Sequence, residues 1–171
     1  MKGLSHFFRR SPAWEDTVFW SLDLETEGLD PRRHQILSVG MVPVRRGLIR
    51  LSEAYASLVR PGGQPTVENG AIGAHHLRPA DTADAPDLAS ILPAVKERIE
   101  EGVLLLHHAP IDLGFLRRAF SENGHEWKKP LVVDTVRLLY RSASQERFLG
   151  GQNTDPELNL FAARQKFHLP L

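Results

Sequence analysis

Read for its apolar and polar positions, the chain changes texture near its middle. Residues 17–24 (TVFWSLDL) form an apolar run with the texture of a buried strand. Residues 35–44 and 48–59 give two more strands, joined by a hairpin-like turn at Arg46 and Gly47. From 61 to 87 the composition shifts to Gly, Pro, Ala and Asp with little periodicity, which predicts a long surface connection with room for a short helix. Leu88, Ile91, Leu92, Val95 and Ile99 then recur at helical spacing. Pro93 lacks an amide donor and sits best in a first turn, so the helix is expected to start near Ser90 and to end at Gly102. Residues 103–106 read as a short strand, followed by Pro110 at a first helical position and by Ile111, Phe115, Leu116 and Ala119 in helical phase. Asn123 and Gly124 close that helix. Residues 131–133 predict a further strand, 134–141 a helix, and Leu158, Phe161 and Ala162 the apolar stripe of a last short helix. Strands first, then alternating helices and strands, define an α/β domain with a mixed sheet.

Composition narrows this picture. A chain of 171 residues, 42% of them hydrophobic, is large enough for one domain with a substantial core. Residues 1–16 read as an N-terminal extension and 17–171 as the domain. The 21 basic residues balance the 21 acidic ones, so any basic surface has to be local. Cys is absent, which excludes disulfides and thiolate metal sites and fits a reducing compartment. No run approaches the roughly 20 apolar residues of a membrane span, and the N-terminus has no signal-like apolar segment, so the expectation is a soluble cytoplasmic protein.

The candidate chemistry begins at the end of the first strand. Side chains alternate faces along a strand, so Asp23 and Glu25 share one face while Leu22 and Leu24 share the other. Two like charges ~4 Å apart repel by about 4 kcal/mol at an effective dielectric near 20. Such a pair is comfortable only if solvated, protonated or bridged by a cation, and hard divalent ions such as Mg²⁺ or Mn²⁺ suit oxygen ligands. A solvated loop pair is the plainer reading, and the D-x-E spacing alone does not decide between them. A third acid, Asp112, lies three positions into the helix that follows strand 103–106. If that strand runs parallel to the first, the three acids converge where ligand sites form in α/β sheets. Favourable placement of an acid in a first helical turn would by itself also account for Asp112.

The order of these parts resembles a known family. SLDLETEGLD looks like the first motif, and LLLHHAPIDLGFL like the second, of the DEDD 3′–5′ exonucleases, with the DEDDh subgroup the nearer match. That group includes the epsilon proofreading subunit of bacterial DNA polymerase III and ribonuclease T. RHQILSVGMVPV and VVDTVRLLYR also match the family's texture. The resemblance implies a ribonuclease H-like fold, with a mixed five-stranded sheet flanked by helices, and two Mg²⁺ or Mn²⁺ ions held by Asp23, Glu25 and Asp112. Asp23 would bridge both ions, Glu25 would bind the one that activates water, and Asp112 would support the other. Thr26 and Leu29 match positions that contact the sugar or base of the terminal nucleotide. The implied substrates are 3′ ends of single-stranded DNA or RNA, and the implied protein partner is a DNA polymerase.

The match has departures. The second motif ordinarily reads H-N-A-x-F-D, whereas His107, His108, Ala109, Pro110, Ile111 and Asp112 stand here. His108 in place of Asn can still hydrogen-bond a nucleotide, and Ile111 in place of Phe can still pack under a base. The family's third motif supplies a general-base His and, about five residues later, a fourth acid, after the helix that Leu158 and Phe161 begin. His168 falls too early for that base, and the residues up to Leu171 stop short of the motif. The expectation is a domain incomplete at its C-terminal side, without its last helix. Asp134 and Asp155 read as helix-cap or turn residues rather than ligands. His75 and His76 read as an exposed loop pair, Trp14, Trp20 and Trp127 as separate anchors, and Arg45, Arg46 and Arg50 as solvated surface around the hairpin. The competing functions are therefore a metal-dependent exonuclease, a degenerate exonuclease-like module that binds nucleic acid or a polymerase-type partner, and a plain α/β scaffold.

Overall fold

The computed structural model describes residues 13–63, 77–148 and 158–168. Its frame is a six-stranded mixed sheet of β1 (Val18–Thr26), β2 (Ile36–Arg45), β3 (Leu48–Ile49), β4 (Tyr55–Leu58), β5 (Val103–Leu106) and β6 (Val132–Asp134). The strand order is β3-β2-β1-β5-β6, with β4 also paired to β2. β2 runs antiparallel to β1, whereas β5 is parallel to β1 and β6 is parallel to β5. Three neighbouring strands therefore deliver their carboxyl ends to one edge, the edge that favours ligand sites.

The third expected strand is in fact two. β3 and β4 line the same side of β2, separated by a 3₁₀ turn at Leu51–Glu53. The cause lies across the ladder at Pro43. Arg50 donates its amide to the Pro43 carbonyl at 2.9 Å, but Pro43 has no N–H with which to return the bond. Pairing lapses there and resumes at Met41 opposite Tyr55. This corrects the expected five strands to six. The hairpin turn falls where expected: Arg46 (φ 52°) and Gly47 (φ 72°) both lie in the left-handed region that a tight hairpin turn demands.

The helices are α1 (Pro79–Thr82), α2 (Leu88–Glu101), α3 (Pro110–Glu122), α4 (Thr135–Phe148) and α5 (Leu160–Lys166). α2 starts at Leu88, two residues before the expected start, because the Asp87 carboxylate accepts the Ser90 amide at 2.8 Å and caps the end. Pro93 then sits inside the helix, where the buried stripe of Ile91, Leu92, Val95 and Ile99 offsets the lost backbone bond. α5 begins at Leu160 rather than Leu158, with Asn159 capping through the Ala162 amide. The core joins Trp20, Leu22 and Leu24 of β1, Val39 and Met41 of β2, and Leu104 and Leu106 of β5 to the buried faces of α2 and α3. No helix among the described residues is long and apolar enough to cross a membrane.

Candidate active site

The site grows from the parallel strands. β1 and β5 pair Phe19 with Val103, Trp20 with Leu104 and Ser21 with Leu105, a register that carries Asp23 to the level of His107, the first residue past β5. β5 and β6 pair Leu106 with Asp134. Asp23, His107 and Thr135 thus stand in a row along the strand ends, with Asp134 one step before Thr135. The chain turns from β5 through His107, His108 and Ala109 into α3, whose third residue is Asp112.

That turn is clamped from β6. The Asp134 carboxylate accepts the amides of His108 (3.2 Å), Ala109 (3.1 Å) and Val136 (3.0 Å). It caps α4, as its sequence context suggested, and also grips a segment 25 residues earlier in the chain. His108 has φ 65°, a left-handed conformation that His and Asn tolerate better than most residues. His at this position therefore suits the backbone conformation that the turn takes here. Beside it, the Thr135 hydroxyl donates to the Leu106 carbonyl at 3.1 Å. With its single proton committed, Thr135 accepts from Nδ1 of His107 at 2.8 Å, which fixes the imidazole ring.

The electrostatics follow from this crowding. Burial first, then the nearby Asp23 charge, raise the Asp112 carboxyl to about 7, against its own helix amide and with a smaller repulsion from Asp134. Burial also raises Asp23, against the Leu24 amide and the His107 ring, which both lower it. Buried Asp112 and Asp23, whose side chain is open to solvent on the face of β1, are thus brought together as a like-charged pair. Glu25 lies on the same face of β1 as Asp23 and is half-buried. Among the described residues no three His, Asp or Glu side chains form a ready-made ion cage. The donor chemistry of the Asp23 and Asp112 pair nevertheless fits a hard divalent cation, which would relieve their repulsion.

The four expected substrate contacts fall on two segments. Thr26 donates its hydroxyl to the Gly28 carbonyl at 2.8 Å, and Leu29 projects into solvent, 72% exposed. His108 is exposed and Ile111 packs on the core. Sequence reading passed over what holds the Leu29 loop. Glu27 is fully buried and accepts the Gln35 amide at 3.0 Å, while the buried His34 ring accepts the Asp30 amide at Nδ1. Arg118 of α3 reaches across to the Pro31 carbonyl. The acid at Glu27, directly after D-x-E-T, is the only local hint of this, and its partner, the Gln35 amide, lies eight residues further on.

The remaining candidates separate cleanly. His75, His76 and Asp155 lie outside the described residues. His168 follows α5 with φ 51°. Trp20 is buried and donates to Glu101, Trp14 is exposed, and Trp127 packs against Phe120 with ring centres 5.5 Å apart. Arg45 is held by Glu53 and Glu101 at 2.8 and 2.7 Å.

A mixed sheet with an acidic edge at the ends of its parallel strands is the ribonuclease H-like architecture of the exonucleases. A crystal structure of Escherichia coli exonuclease I with single-stranded DNA and zinc shares this fold, with a TM-score of 0.72 at 15% identity over 87% of this chain and 35% of that one. The RNase T family model, described as an exonuclease, matches residues 21–168, and the chain belongs to this family of DEDD exonucleases. Sequence relatives include a DNA polymerase III subunit epsilon-like protein of Rhodobacter capsulatus, 34% identical over 71% of this chain and 17% of its own length. Another is the PolC-type DNA polymerase III of Bacillus subtilis, 31% identical over 72% of this chain and 8% of its own. The chain thus spans under a fifth of these two relatives.

Proposed function

We propose that the chain is a divalent-metal-dependent 3′–5′ exonuclease domain that hydrolyses phosphodiester bonds at single-stranded DNA or RNA ends. The observation that carries this reading is the pairing of Asp23 with the buried Asp112 at the carboxyl ends of parallel strands, in a chain of the exonuclease family. Asp23, Glu25 and Asp112 would hold two Mg²⁺ or Mn²⁺ ions. Bound divalent ions supply an activated water and stabilise charge on the leaving oxygen. Asp134 and Thr135 keep the second-motif turn and His107 in place. Leu29, carried on its pinned loop, and Ile111 present apolar surface to the terminal base, with Thr26 and His108 as polar contacts. The polymerase III names of the relatives support a DNA polymerase as the working partner, and the absence of Cys supports a cytoplasmic setting.

The test is digestion of 5′-labelled single-stranded DNA and RNA with Mn²⁺, alongside Asp23→Ala. A ladder shortening stepwise from the 3′ end, absent in Asp23→Ala, is expected. Intact substrate at every time point would overturn the enzyme and favour a binding module.

A further inference from the structure

The molecule carries no net charge, yet one groove is distinctly basic. It runs along the outer face of α3, from Pro110 to Ser121, with the Asp30–Arg32 turn on one side and Trp127 and Lys129 on the other, and encloses about 870 Å³. Four cations line it. Arg32 is paired with Asp30 at 3.2 Å and Arg118 with Glu122 at 2.7 Å, which neutralises both acids of the lining. Arg117 and Lys129 have no carboxylate partner among the described residues and are exposed, so the groove keeps an excess of two positive charges.

Its position gives that charge a use. The groove begins at Pro110, two residues before Asp112, and at the turn that follows Leu29. Eleven helical steps to Ser121 at 1.5 Å each make it roughly 17 Å long, the scale of a few nucleotides. Trp127, braced by Phe120, adds an aromatic wall. Unpaired cations spaced along a channel with an aromatic side are the chemistry that grips single-stranded nucleic acid without regard to sequence. We propose that this groove is a binding track for the single strand upstream of the end held at the acidic edge. The track sets affinity for long strands and is separate from the chemistry at Asp23 and Asp112. The proposal rests on the nuclease reading for what lies at the track's end, but its test does not.

The experiment measures anisotropy of 5′-fluorescein oligo(dT) of about 4 and about 16 nucleotides, spanning the range of single-strand sites. All proteins carry Asp23→Ala so that substrate is not consumed. Arg117→Ala with Lys129→Ala is expected to weaken the longer strand about tenfold at ~50 mM salt and to flatten the slope of log affinity against log salt by about 1.4. Affinity for the short strand stays within about twofold. Arg46→Ala with Arg50→Ala, an equal loss of charge at the distant hairpin, is expected to leave both unchanged. Equal binding by the groove variant and its parent, equal loss for both lengths, an equal effect from the hairpin variant, or no binding by the parent would each overturn the track. Degradation by the wild-type chain with groove-independent binding sinks the track alone. Groove-dependent binding without degradation sinks the nuclease reading alone.

Discussion

Burial and the Asp23 charge hold Asp112 at about 7, while an unfolded Asp titrates near 3.9. Between those values the folded chain binds more protons than the unfolded one, so the stabilisation present below about pH 4 is lost as pH rises toward 7. The metal-free chain is therefore expected to lose on the order of a few kcal/mol across that window. Asp112→Asn is expected to flatten the decline. Thermal denaturation across a pH series checks both, and a parent melting temperature that does not fall would contradict the raised, buried Asp112. At the same scale, a Cβ at Gly28 would come within 2.6 to 2.9 Å of the buried His34 ring. Gly28→Ala is expected to cost about 1–3 kcal/mol by overpacking, measured by denaturant unfolding. Because that loop carries Leu29, nuclease activity should fall with it.

Between elements, the decisive contacts tie segments that are distant in the chain. Asp134 accepts three amides, two of which hold the turn into α3 while the third caps α4. Asp134→Ala leaves those amides without their partner and removes the α4 cap, with an expected cost of about 1–3 kcal/mol. Asp134→Asn keeps the acceptor oxygen and should recover much of it; equal losses in the two variants would show that the hydrogen bonds are not what matters. Gly102 makes a different joint. A Cβ there would lie 2.2 Å from the Val18 carbonyl, where β5 enters beside β1. Gly102→Ala is expected to be among the most damaging single substitutions, since backbone has to move before the parallel pair can form, and soluble yield together with melting temperature reads it.

For the whole molecule, the like-charged pair predicts linkage between metal and stability. Ions that bind only the folded state stabilise it by RT ln(1 + [L]/Kd), about 2.7 kcal/mol at a hundredfold excess over Kd. Mn²⁺ is expected to raise the melting temperature of the parent at about pH 7.5, where Asp112 is ionising, and to do little for Asp112→Asn. An equal rise in both would place the ion elsewhere.

The sequence by itself determined the element types and the acidic ledge, because these depend on short-range facts: alternation along β1, helical spacing in α2 and α3, and two carboxylates two residues apart. It also read Asp134 correctly as a cap. Only the tertiary structure decided what depends on who lies alongside. The missing N–H of Pro43 matters because Arg50 stands opposite it. The second role of Asp134 exists because β6 pairs with β5. Asp112 is raised because folding buries it near Asp23, 89 positions away in sequence, and the basic groove exists because folding sets Lys129 and Arg117 around one channel. Local pattern is written in neighbouring residues, but burial, electrostatic repulsion and open ladder positions are properties of pairs that the chain brings together only when it folds.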